Sequence, residues 1–554
     1  MIGIQDNQQT HRSAPHLVAF FLYLIFVWGI AYARKDYLWI NGDDPNLLQQ
    51  SLLINAGFVP NVDFFSGYPG LSLYLQALLI KLVGGAPFSQ HLYAALQATV
   101  LGGVFFWAGQ RIAPLLLLLV LLFIYSQGAL LNPTPNPGYL FEIAFVVGVK
   151  KTWDFLGDAR TQSAAFAGAA FSIAFLAKQY GIFGPICFFL ATLGLLDIAP
   201  PWRRRLFGLS LTIIVAAILY SYFGSFILNT AYGTSGAYMT HEEQQFLLLK
   251  NSTIFVIPVA VSLFAYLRVD QKSNAPKLSL MNFLLSNFIH LAVFLSVSVG
   301  YLFFQYGLGA VPDILREIMF LAPKRINSYL LEVSFSQAAL LRAAYGLLAL
   351  GVLTFAFLQN RTMVPRIPRT IVYLIGFLVV GVLMVRGANL SATPFLSLGY
   401  IGIISVVIYR ASSRLVILLA SVSPLFVILI PYTNYAYHLP LLIFALLLAS
   451  NDGPHDEFQS RSKKADLIPY FFVAMLVGVL IFKANRDADT YTRYLFDGTF
   501  FVSGDPRWHE AIDEAGKVKR GEGSCSSYGC RYLLLTDDSF SNYGLIIEKT
   551  ISKK

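Results

Sequence analysis

Apolar residues in this chain come in long unbroken runs, not in alternation. Leu17 to Ala33, Ile112 to Leu131, Leu206 to Leu228 and Phe283 to Phe304 each hold few or no charges. Such runs approach or reach the roughly 20 residues a helix needs to cross about 30 Å of hydrocarbon. Strands of an outer-membrane barrel would instead alternate over about ten residues, and these runs do not. The pattern predicts an all-α polytopic membrane protein with about 13 to 15 spans over residues 1–483. Composition agrees: of 554 residues, 56% are hydrophobic and only 13% charged, which excludes an ordinary soluble enzyme.

Ala31-Tyr32-Ala33 has the small-x-small form of a signal cleavage site, but its apolar stretch is long for a signal and many spans follow, so an uncleaved first helix is expected. Cys187 falls inside a span, whereas Cys525 and Cys530 sit in a polar tail and could pair there.

Charge then orients the spans. A net charge of +10 would suit nucleic acid in a soluble protein; in a membrane protein it matters by side. With the N-terminus cytoplasmic, one set of loops carries nineteen cations, among them Lys150, Lys151, Arg160, Arg203, Arg204, Arg205, Arg268, Lys277 and Arg414. The opposite loops hold nine: Arg34, Lys35, Lys81, Lys178, Lys250, Arg316, Lys324, Arg325 and Arg386. This bias requires that the thirteen-residue stretch Leu71 to Val83 be an interfacial or re-entrant helix, since a span there would invert every later loop. One long first outer loop, residues 34–88, follows. The last span, Leu467 to Lys483, then delivers residues 484–554 to the outer side as a small appended segment, expected to be α/β from Asp505-Pro506, Gly521 to Gly523 and the strand-like run Tyr532 to Leu535.

Candidate chemistry clusters on that outer side. The first loop opens Asn41-Gly42-Asp43-Asp44-Pro45, a helix start with Asp44 as cap and proline at the first helical position. Leu47, Leu48, Leu52 and Leu53 recur at helical spacing after it. Capping alone accounts for one carboxylate; two adjacent ones repel, which suits one of them to accept a hydroxyl proton. Gly57 to Phe65 and Gly67-Tyr68-Pro69-Gly70 follow.

In this order of elements the chain resembles the GT-C superfamily of membrane glycosyltransferases, in particular the bacterial branch related to protein O-mannosyltransferases and lipid A aminoarabinose transferases. The resemblance rests on Asp43-Asp44, the helix Asn46 to Ala56, Gly57 to Phe65 and Tyr68 to Val83, and covers residues 16–200; beyond them only the architecture of spans is shared. It implies a GT-C-like helix bundle in a bacterial inner membrane, the C-terminus periplasmic. It implies a polyprenyl-phosphate-linked sugar as donor and a lipid, polysaccharide or protein hydroxyl as acceptor, with no nucleic acid partner. Asp43 corresponds to the catalytic aspartate, with Asp44 where Glu is commoner. Glu142, in Pro137-Gly138-Tyr139-Leu140-Phe141-Glu142, stands where the family has a second acidic residue, usually Asp; its alternative is a helix-start carboxylate favoured by the dipole.

Lys178, in Leu176-Ala177-Lys178-Gln179, matches a family Leu-x-Lys-Gln element; a lone lysine there could equally snorkel to headgroups. Arg386 and the Lys324-Arg325 pair break the charge bias in the same way and are candidates, with Lys178, for holding the donor phosphate. Tyr68, Tyr432, Tyr435 and His438 are candidates for sugar or acceptor contact. The last three lie in a segment resembling the family's Arg-Tyr-x-x-x-Pro element, whose Arg is absent here; interfacial tyrosines are the plain alternative. His241-Glu242-Glu243 makes a poor metal set, because three adjacent residues cannot face one ion on a helix. No metal site is assigned and no cofactor is required, although a divalent cation is compatible with the acidic pair. The rival from another class is a transporter or flippase of a lipid-linked glycan, and a nearer one a polysaccharide polymerase or ligase.

Overall fold

The computed structural model describes residues 14–33, 43–64, 66, 68–83, 86–109, 112–127, 137–231, 241–268, 277–316, 351–355, 369–386, 413–428 and 473–481, with a few residues between 318 and 348, 441 and 448, and 513 and 522. These residues are helical, with two isolated bridges, Pro60 to Phe64 and Leu196 to Leu278, and no strand among them. Five helical stretches are long and apolar enough to cross a membrane: Ala14–Ala33, Ser89–Ala108, Pro200–Ser221, Gln245–Arg268 and Leu280–Tyr306. Shorter apolar helices lie between and after them. The chain is a helical membrane protein by this measure. The expected strand-like run Tyr532 to Leu535 and the Cys525 and Cys530 thiols lie outside the described residues.

The helices that frame the site are α1 (Ala14–Ala33), α2 (Asp43–Asn55), α3 (Leu71–Val83), α4 (Ala86–Ala108), α5 (Pro114–Gln127), α6 (Pro137–Asp158), α7 (Thr161–Ala177), α8 (Phe183–Leu193), α9 (Pro200–Ala231), α10 (His241–Arg268) and α11 (Leu280–Tyr306). Helix α1 is a packed member of the bundle. It runs antiparallel to α4, with the Tyr23 hydroxyl donating to the Ala98 carbonyl at 2.8 Å and its ring lying where a side chain on Gly102 would have to go.

Packing in α6, α7 and α11 follows the logic of lipid, where apolar side chains face outward freely and small or polar ones join helices. Along α11 the buried positions Ser286, His290, Phe294, Ser298 and Leu302 recur every four residues, while Met281, Phe288 and Phe304 point away from the bundle. The buried stripe meets the alanine-rich α7: Ser172 and Ser298 share a hydrogen bond at 2.6 Å, and a ring nitrogen of His290 lies 3.1 Å from the Ala164 carbonyl. Gly168 admits the His290 carbonyl itself, since a Cβ there would sit 2.5 Å from that oxygen. Gly148 likewise admits the ring of Phe171 between α6 and α7.

These contacts sort the helix ends. At one end Lys150 and Lys151 pair with Asp154 and stand over Trp107, Arg414 stacks on Trp153 at 4.1 Å, and Lys277 faces Asp197 at 3.4 Å. Arg203 donates to the Leu196 carbonyl at 3.3 Å, next to Asp197, and a 3.8 Å stack of Phe207 on Tyr266 brings the start of α9 to the end of α10 that carries Arg268. Lys150, Lys151 and Arg414 thus gather around the end of α6. The opposite end carries α2, α3 and the turn after α7.

Helix α3 has the bounds expected from sequence, and at thirteen residues it is about 20 Å long, too short to cross. It buries Leu73, Ala77 and Ile80 and turns Leu75, Leu78 and Leu82 outward. Helix α2 buries Leu47, Leu48, Leu52 and Leu53, the spacing read from sequence. It starts at Asp43, taking in both aspartates, so Pro45 is its third residue and not its first. The shift costs nothing, because the first four helical N–H groups have no partner within a helix and proline lacks one anyway.

Candidate functional site

The site is assembled from the first loop, the end of α7 and the beginning of α6. Helix α7 makes its last backbone bond from Lys178 N–H to the Ala174 carbonyl at 2.9 Å. Lys178 is then extended, and Gln179–Ile182 forms a single 3₁₀ turn that leads into α8. That reversal depends on Gly181, where a Cβ would lie 2.0 Å from the Phe175 backbone nitrogen. No side chain fits, so the glycine lets the turn fold back on the last turn of α7.

The turn determines where Lys178 goes. Its ammonium lies 5.6 Å from the ring centroid of Tyr68 and 5.2 Å from that of Tyr180, and the residue is only 7% exposed. A lysine reaching for headgroups would be exposed at its tip. This one is instead held between aromatic faces, the geometry that attracts a cation to the ring quadrupole. Tyr180 in turn meets Phe141 edge-on at 6.3 Å, tying the turn to α6 next to Glu142.

Glu142 is 2% exposed, and Lys178 is the cation whose field acts on it. It is the sixth residue of α6, so it lies beyond the first turn and the helix-dipole explanation of it falls away. Its Oε1 and the Oε1 of the equally buried Gln179 receive no hydrogen bond from the protein. Buried acceptors are normally satisfied. Two buried acceptors without a protein donor thus belong to the residue next to Lys178 in the chain and to one within its electrostatic field.

The first loop is tightly folded where it meets this lining. Asn61 takes the left-handed conformation that Asn tolerates better than most residues, with φ 60. From there its side-chain NH2 donates to the Tyr68 carbonyl at 2.7 Å, and its oxygen accepts from Ser66 N–H at 3.2 Å. Asp63 accepts from Val59 N–H at 2.7 Å. On the α3 side the Ser51 hydroxyl donates to Gln76 at 2.9 Å and joins α2 to α3. Tyr74 accepts a hydrogen bond from Gln305, and burial, with the Asp63 carboxylate adding, pushes its hydroxyl up to about 12.

Of the residues expected from sequence, Tyr68, Glu142 and Lys178 are brought together. Asp43 and Asp44 begin α2 at this end of the bundle, and their side chains lie outside what the structure describes. Arg386 closes a helix, Arg369–Arg386, and its side chain is likewise outside. Lys324, Arg325, Tyr432, Tyr435 and His438 lie outside the described residues. Glu242 and Glu243 are exposed in the first turn of α10, where the dipole favours them, and no group of metal-ligating side chains occurs among the described residues. Sequence reasoning missed Tyr180, Asn61 and Tyr306 as parts of the site. Only Tyr180 carried a signal, its place two residues after Lys178 and next to a glycine.

One residue of the C-terminal tail also reaches this end. A Cβ on Gly516 would stand 3.2 Å from the Ala56 carbonyl, just past the end of α2. Gly516 and the first loop therefore share a side of the bundle.

Comparison with protein families, with curated proteins and with solved structures gives no match to this chain.

Proposed function

We propose that the chain is a glycosyltransferase of the GT-C kind, which moves a sugar from a polyprenyl-phosphate donor to an acceptor hydroxyl on the outer face of a bacterial inner membrane. The single observation that carries this reading is the pairing of Tyr68 from the first loop with the buried Lys178, beside Glu142. Both partners come from elements singled out by the resemblance. Ionisable groups held in a membrane protein's interior are costly and tend to mark function. The N-terminus and the cation-rich end are then cytoplasmic, and the Tyr68 end, with the tail, periplasmic.

In this reading one carboxylate of Asp43-Asp44 takes the proton of the acceptor hydroxyl. The freed oxygen bonds to the anomeric carbon as the carbon–oxygen bond to phosphate breaks, with inversion. The phosphate departs as an anion, and Lys178 stabilises the charge that develops on it. Arg386, Lys324 and Arg325 are further candidates for that phosphate. Tyr68 offers a ring face to the sugar, and Tyr432, Tyr435 and His438 belong to the same proposal. No general acid is needed, because phosphate is a competent leaving group.

The test is complementation of a deletion strain at equal expression, followed by mass spectrometry of the cell-envelope glycans. Asp43→Asn and Lys178→Gln are expected to lose the modification that the unaltered chain restores. Full modification by both variants would refute the reading. Glu142 favours one alternative, since a buried carboxylate near a lysine also suits a proton-coupled transporter or flippase of a lipid-linked glycan. In that case the deletion strain would accumulate the unflipped lipid on the cytoplasmic side.

A further inference from the structure

Tyr306, the last residue of α11, is far along the chain from both halves of the site, yet it touches the loop that carries Tyr68. Its hydroxyl donates to the Pro69 carbonyl at 3.1 Å, and the Asn61 side chain is near enough to act on it electrostatically. Asn61 donates to the neighbouring Tyr68 carbonyl at 2.7 Å. Two successive carbonyls, those of Tyr68 and Pro69, are thus each held by one side chain, Asn61 and Tyr306. The next residue, Gly70, has φ 103, and a Cβ on it would stand 3.1 Å from the Tyr306 hydroxyl. The loop can approach Tyr306 this closely only because glycine stands there.

The same helix also sets Lys178. Helices α7 and α11 run parallel and are locked in register by Ser172 and Ser298 at 2.6 Å and by the contact of His290 with Ala164. From that lock, α7 continues six residues to Lys178 and α11 eight residues to Tyr306. These are rises of about 9 and 12 Å toward the same end. One rigid helix therefore determines both the height of Lys178 and, through Tyr306, the height of the Tyr68 backbone.

We infer that Tyr306 is a positioning residue, which with Asn61 fixes the Tyr68 ring over Lys178 so that the donor meets a preformed pair. The inference rests on the functional reading above and adds to it a residue that touches neither the donor nor the reacting atoms. Preorganisation of this kind matters because a displacement of about 1 Å can cost on the order of a hundredfold in rate.

The test is a double-mutant cycle in the full chain, reconstituted in lipid, with turnover of lipid-phosphate sugar as the first readout. Tyr306→Phe removes only the hydroxyl and is expected to lower kcat/KM roughly 2- to 10-fold, the worth of one hydrogen bond. In a Tyr68→Ala background the same substitution is expected to cost nothing further, whereas a merely structural role would cost as much in either background. The second readout needs no activity: amide exchange across residues 61–70 should quicken by roughly 2- to 10-fold in Tyr306→Phe, with the rest of α11 unchanged. A loss that persists undiminished in Tyr68→Ala, or unaltered exchange in the loop, overturns the inference. If Tyr68→Ala and Lys178→Gln leave turnover intact while Tyr306→Phe still loosens the loop, the functional reading fails and the positioning contact stands.

Discussion

The ammonium of Lys178 lies 5.6 Å from the ring of Tyr68, and this contact joins the first loop to the end of α7. A cation with 7% exposure in that position is not a headgroup anchor. Its ammonium is held between the rings of Tyr68 and Tyr180.

Neutralising the cation should therefore weaken donor use and leave the fold alone. Lys178→Gln is expected to lower kcat/KM for the lipid-phosphate donor by roughly 10- to 100-fold, the worth of a charge-assisted hydrogen bond. Steady-state kinetics in proteoliposomes would check this, with the melting temperature measured on the same preparation. Unchanged kinetics would remove Lys178 from the site.

Glu142 permits a cleaner separation of chemistry from stability. Glu142→Gln keeps the shape of a side chain that is 2% exposed and removes the carboxyl group that feels the Lys178 charge. Its Oε1 accepts no hydrogen bond from the protein, so the near-isosteric amide gives up no hydrogen bond made by that atom. Turnover is expected to fall at least about tenfold while the unfolding midpoint stays within a few degrees. Equal turnover would mean that Glu142 serves packing only.

The glycines make a prediction about architecture. At Gly181 a methyl group would meet the Phe175 backbone 2.0 Å away, and at Gly148 it would enter the ring of Phe171. Gly181→Ala should disrupt the turn and with it the Lys178 cage. Gly148→Leu should separate α6 from α7 at a cost of about 1–3 kcal/mol or more. Size-exclusion profiles and melting curves in detergent would register both, and wild-type behaviour of either variant would contradict the packing described.

Much of this was legible in the chain because lipid imposes simple rules. The helix Leu71 to Val83 was readable as non-spanning from its length and from the side on which it left Lys150 and Lys151. Its bounds are those of the thirteen-residue helix observed. The leucines of α2 gave their buried face by spacing alone. What spacing could not give was convergence. Tyr306 and Asn61 lie in different parts of the chain, and neither the left-handed backbone of Asn61 nor the register of Ser172 on Ser298 leaves a periodic trace. The status of Glu142 was ambiguous for a related reason: an acid near a helix start reads as a dipole partner until the start is known to be Pro137.

The central claim is that the Tyr68–Lys178 end of the bundle holds a polyprenyl-phosphate chain by its phosphate. The most direct measurement is photo-cross-linking of a diazirine-bearing polyprenyl phosphate to the full chain in lipid, with the adducts mapped by mass spectrometry. Adducts are expected in the peptides spanning residues 57–83 and 171–186, competed by unlabelled polyprenyl phosphate and strongly reduced in Lys178→Gln. Adducts confined to the opposite end of the bundle, or undiminished by that substitution, would contradict the account.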